Sequence, residues 1–175
     1  TIGTAGAPLG AVVVDSTGDT SFNGAIAAAS LTTDIGGRVL LAAGTITTTG
    51  AVSFGEAVVL GANTTITTNN ADVSFGAAVT RDGAARSLTV DAGSGDVSFA
   101  STIGAAGSPL GDLVVDSSGD TSFNGAIAAT SLTTDAGGRV LIDAGTGLAI
   151  AAPVFWIFTK LLAINLPGLT RTGWL

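Results

Sequence analysis

Residues 1–44 recur at 102–145 with nine differences, so the chain carries one 44-residue segment twice. Near-identity over that length favours architectures built by repetition, in which each unit buries its apolar face against a neighbour like itself. A shorter period runs inside the long one. Val or Thr, then Ser and Phe, occurs five times, at Phe22, Phe54, Phe75, Phe99 and Phe123. Each Phe has an aliphatic residue four positions on: Ile26, Val58, Val79, Ile103 and Ile127. The Phe spacings are 32, 21, 24 and 24 residues.

Short runs of alternating apolar and polar residues precede most copies, as at Val12–Val14, Leu88–Val90 and Leu113–Val115. Gly, Asp, Asn and Ser separate them, which is strand-and-turn punctuation rather than helix. A unit of about 20–24 residues is the size of one coil of a solenoid. The expected fold is therefore all-β, a parallel β-solenoid (right-handed β-helix) with the Phe of each coil stacked on the next. Coils in parallel pairing repeat at about 4.8 Å. The alternative is an array of tandem immunoglobulin-like sandwiches, since the long period also suits a domain of that size. A sandwich has no need of the same string in every 21–24 residues, and the solenoid is the preferred reading.

Composition removes most catalytic chemistry. Histidine, cysteine, methionine and tyrosine are absent, and Lys160 is the single lysine. No Ser-His-Asp or Cys-His nucleophile system, His/Cys zinc site or disulfide can be assembled. Six basic residues against 13 acidic ones give a net charge of −7, which cannot neutralise a phosphate backbone, so nucleic acid is not an expected partner. High Gly content could mean disorder, but 46% hydrophobic residues argue for a folded chain. With no initiating methionine, a fragment or processed piece is expected.

The remaining polar candidates are carboxylates and threonines. Asp15 and Asp19, Asp91 and Asp96, and Asp116 and Asp120 recur in Gly/Ser-rich segments read as turns. Stacked on adjacent coils they could supply oxygen ligands to Ca²⁺. Their strings lack the Gly-Gly-x-Gly-x-Asp pattern of the calcium-binding nonapeptide, and Asp is ordinary turn chemistry. Threonines cluster at 45–49 and 64–68, where flat outer ranks would suit ice binding, but such runs occupy only part of the chain. Glycoside hydrolysis would need paired carboxylates in an aromatic-lined groove, and outside the Phe strings no aromatic residue precedes Phe155. We expect no catalysis and no cofactor.

After Gly145 the second copy departs from the first. Leu148 to Leu166 is apolar at nearly every position, with one charge, Lys160, and Pro153 near its start. The organisation read from the sequence is a repeat region over 1–145 and an atypical hydrophobic tail over 146–175. The tail reads as a cap on the open end, a membrane segment, or a frameshifted gene end. Lys160 makes a membrane span costly, and neither a span nor a need for the tail in the rod is expected.

The strings SLTVDAGSGDVSF, PLGDLVVDSSGDTSFNGAI and SLTTDAGGRVLIDAG resemble the repeat regions of large bacterial surface or secreted adhesins of the filamentous haemagglutinin-like and autotransporter type. The resemblance covers about residues 1–145 and rests on repeat texture, so it carries over no site residue. It implies export, a right-handed β-helix, and a stalk or adhesive surface on the bacterial exterior. Expected partners are host-cell, matrix or self surfaces. The other functional class left open is a calcium- or ligand-binding solenoid module.

Overall fold

The computed structural model describes residues 1–135 and 137–143. They form strands, turns and no helix, stacked as a β-solenoid of about 7 turns. The first coil holds β1 (Leu9–Val14) and β2 (Thr20–Phe22), and the second β3 (Ile26–Thr33) and β4 (Arg38–Leu41). The third holds β5 (Thr45–Thr48), β6 (Val52–Phe54) and β7 (Ala57–Leu60). The fourth holds β8 (Thr64–Thr68), β9 (Val73–Phe75) and β10 (Val79–Arg81). Next come β11 (Leu88–Gly93) with β12 (Val97–Phe99), then β13 (Leu110–Ser117) with β14 (Thr121–Phe123). The seventh holds β15 (Ala129–Thr134) and β16 (Val140–Ile142). Every strand pairing among the described residues is parallel, which excludes the sandwich array.

Alternation decides which side chains enter the core. In β6, β9 and β12 the Val and Phe point inward while the Ser between them stays partly exposed. Parallel pairing in register then places like on like: Phe54, Phe75, Phe99 and Phe123 form one internal column. Their ring centroids are 5.4, 4.6 and 5.2 Å apart along the column, with neighbouring planes within 24°. These separations match the strand spacing of about 4.8 Å, so the coil repeat itself sets the stacking distance. A second column runs Ile26, Ile46, Ile66, Val90, Val115. A third, with two isolated bridges continuing it, runs Val39, Val58, Val79, Ile103, Ile127.

Phe22 corrects the expectation of five stacked Phe residues. It lies in β2, opposite Leu41 of β4, on a different face from the Phe column. In the first two coils the Phe column is instead continued by Val14 and Thr33. The reason is visible in the spacing, because the 32 residues from Phe22 to Phe54 are one coil plus one face. The two copies of the duplicated segment thus sit one face apart around the solenoid. Ile26 of the first copy belongs to the column of Ile46, while its counterpart Ile127 belongs, through Ile103 and Val79, to the column of Val58.

The coils are not all divided alike. The eight residues of β3 pair with β5 through Ile26–Ala28 and with β6 through Leu31–Thr33. Gly50 lies in the turn that separates β5 from β6, and a Cβ there would come within 2.9 Å of the Ala29 carbonyl oxygen. A larger residue would push the two coils apart, so glycine fits this close approach. The tail at 146–175, including Leu148–Leu166, lies outside the described residues. Among the described residues no helix is long and apolar enough to cross a membrane.

Candidate functional site

The most regular polar surface lies outside the Phe column. Because Phe points inward, the serine before it points outward, and register pairing aligns Ser53, Ser74, Ser98 and Ser122 along the rod. Ser74 Oγ lies 3.0 Å from Ser53 Oγ, linking two coils through their hydroxyls. Beside this row, at the corner before each strand, run Asp72, Asp96 and Asp120. The Asp96 amide donates to Asp72 Oδ1 at 2.9 Å, and the Asp120 amide donates to Asp96 Oδ1 at 2.8 Å. The Arg139 amide completes the series by donating to Asp120 Oδ1 at 3.2 Å. Together the two rows line a shallow groove of about 460 Å³.

One oxygen of each carboxylate in the series therefore accepts a backbone amide of the following coil. That is a structural task, because an unpaired amide at a corner is costly. The groove presents hydroxyls and carboxylates at the coil repeat, a surface that can accept hydrogen bonds along a polar partner.

The structure separates the six aspartates proposed for calcium. Asp96 and Asp120 share the groove, whereas Asp91 and Asp116 face each other in β11 and β13 on another face. Those two belong to strands, which corrects their reading as turn residues. They continue a register column begun by Thr47 and Thr67, since Thr67 aligns with Asp91. Asp15 follows β1, and Asp19 lies before β2, where its Oδ2 accepts Arg38 Nη2 at 2.6 Å and Nε at 3.2 Å. This hydrogen bond lowers the Asp19 carboxyl below its ordinary value and raises the Arg38 guanidinium. Among the described residues no three acidic side chains are grouped so as to hold a metal ion.

The threonines divide in the same way. Thr45, Thr65 and Thr89 align across β5, β8 and β11, and Thr45 and Thr65 are exposed. Thr48, Thr64 and Thr68 are instead buried, against the expectation that strand threonines lie outside. Each hydroxyl donates to a nearby corner carbonyl: Thr48 to Gly50 at 2.6 Å, Thr64 to Ala62 at 3.1 Å, Thr68 to Ala71 at 2.6 Å. They staple strand ends to turns.

The sequence reading passed over Glu56. It is only 3% exposed, although it is a carboxylate, and both of its oxygens are buried without a hydrogen-bond partner. Alternation puts it there: from Val52 to Leu60 every second residue is buried, and Glu56 falls in phase with Phe54 and Val58. Burial pushes its carboxyl above the ordinary glutamate range, and the nearby Asp34 and Asp19 charges push it further. A charged residue in phase with the core positions was the signal that could have found it.

No family model, curated protein or solved structure matches the chain.

Proposed function

We propose that the chain is a structural and adhesive repeat module, a stalk or passenger segment of a bacterial surface protein, without catalysis. Unbroken internal columns running from coil to coil carry this reading, because they make shape the property the sequence maintains most consistently. Repetition gives a rod whose length follows coil number, and its outer rows repeat one polar pattern along the axis. Such a surface meets a partner by many weak contacts in register rather than by one deep pocket. The resemblance in repeat texture to filamentous haemagglutinin-like and autotransporter adhesins supports the same reading, with host-cell, matrix or self surfaces as partners outside the bacterium.

Beads coated with the full chain test it against the calcium-module alternative. Adhesion to cells, to matrix-coated plates or between beads, unchanged by chelator, is the expected outcome. Thermal unfolding with and without millimolar Ca²⁺ should coincide. A native-state site filled at 100 times its dissociation constant would add about 2.7 kcal/mol. A shift of that kind, lost in Asp96→Asn or Asp120→Asn, would replace the adhesive reading with a calcium-binding one.

A further inference from the structure

Glu56 sits at the corner between β6 and β7, the one glutamate of the chain. At the equivalent place, two residues after the ladder Phe, the later coils carry Ala77, Ser101 and Gly125. The corner is tied on both sides. The Gly55 amide donates to the Thr33 carbonyl at 3.1 Å, and Gly76 donates to the Phe54 carbonyl at 2.7 Å. Val58 donates to the Ala78 carbonyl at 2.9 Å. With the backbone held this way, a side chain in phase with Phe54 and Val58 is directed into the core and not to water.

The surroundings offer the carboxylate no compensation. Thr33 Oγ1 in the preceding coil is itself buried without a partner. The charges acting from the two preceding coils are Asp34 and Asp19, both of the same sign as an ionised Glu56. The cation there, Arg38, is already bonded to Asp19 through two nitrogens. The corner of the following coil, Gly76-Ala77-Ala78, contains no titratable group. An ionised carboxylate in this position would lose its hydration and gain only repulsion.

We infer that Glu56 takes up a proton as the coils close around it, so that assembly of this corner is favoured by acid and opposed by alkali. The neutral acid removes the charge from the core, and its hydroxyl becomes a donor where the carboxylate had none. The direction follows from linkage. A carboxyl raised in the folded state leaves stability intact below its unfolded value of 4.5. Above that pH the unfolded chain releases the proton while the folded one keeps it. The unfolding constant then rises about tenfold per pH unit until the folded carboxyl also ionises. Asp19 and Asp82 are shifted the opposite way and titrate below this window.

A sole glutamate makes the test direct. Carbon-13 labelling of glutamate in the full chain gives one side-chain carboxyl resonance, whose titration midpoint is expected above 4.5. Denaturant unfolding should show the pH-dependent rise in the unfolding constant for the native chain and none of that component for Glu56→Gln. A midpoint at or below 4.5 overturns the inference. So does an unchanged pH slope in Glu56→Gln. The resonance reads the native chain alone, so the test stands even if the variant folds poorly.

Discussion

The duplicated segment is an internal experiment in which one sequence is placed in two surroundings. Several local features are the same in both copies. Gly3 and Gly104 adopt φ of 64° and 65°, and the same tight loop closes at Thr4–Ala7 and at Ala105–Ser108. Thr20 pairs with Val39 as Thr121 pairs with Val140. Burial, however, is inverted. Leu9 in the first copy is 49% exposed and its counterpart Leu110 is 0% exposed, because β11 covers β13 and nothing described covers the same edge of β1. At the other end of the segment the order reverses, with Val39 at 0% and Val140 at 42%. The core is therefore a property of stacking. Each coil supplies half of a buried layer, and its neighbour decides whether that layer is dry.

The largest effect should come from the Phe column. Phe99 has a stacked ring on each side, at 4.6 and 5.2 Å. Replacing it with alanine removes contacts in two coils and should cost about 3–5 kcal/mol. Phe22 begins with the same Thr-Ser-Phe string as Phe123, but it lies in the first coil opposite Leu41 alone. Phe22→Ala should cost no more than about half of that value. Equilibrium unfolding of the two variants checks this. Equal losses would mean that position in the rod does not matter, and the account of burial by stacking would fail.

This contrast also shows what could be read from the sequence. Inward and outward positions were legible because alternation is local, and the solenoid was legible because like residues recur at the length of a coil. Phase was not. The same string occupies the Phe face at Phe123 and another face at Phe22, and only long-range pairing distinguishes them. The aspartates were similarly opaque: Asp96 and Asp91 are five residues apart yet serve different faces, one bonded into the corner series and the other paired with Asp116 in a strand. Glu56 was legible in principle, because it falls in phase with Phe54 and Val58, but a single acid outside the repeated Asp strings drew no attention.

A gentler test sets before the first copy the neighbour that the second copy has. In the second copy, residues 79–101 form the coil that precedes Thr102. Fusing that sequence ahead of Thr1 recreates the Ser101–Thr102 junction at the start of the chain. The added strand should align with Val12–Asp15 as β11 aligns with Leu113–Asp116. Hydrogen exchange at the β1 amides should slow towards the rates of β13, with unchanged exchange in β9 and β12. Unaltered exchange in β1 would show that the equivalence of the two copies stops at their sequence.

The smallest difference between the copies is an ion pair. Arg38 holds Asp19 at 2.6 Å in the first copy, and the equivalent Arg139 reaches Asp120 only at 3.8 Å. Asp120 is engaged elsewhere, accepting the Arg139 amide through its other oxygen at 3.2 Å. Both pairs are open to solvent, where water and salt screen the attraction, so neither substitution should move stability at neutral pH measurably. The titration of the carboxyl is more sensitive. Arg38 lowers Asp19, so its contribution is present above the unfolded value of 3.8 and is lost as pH falls through the folded one. Arg38→Gln should return the Asp19 midpoint towards 3.8 in a carbon-detected titration. Arg139→Gln should leave Asp19 where it is. If Arg38→Gln leaves it there as well, the short contact is not what lowers the carboxyl, and this difference between the copies has no chemical consequence.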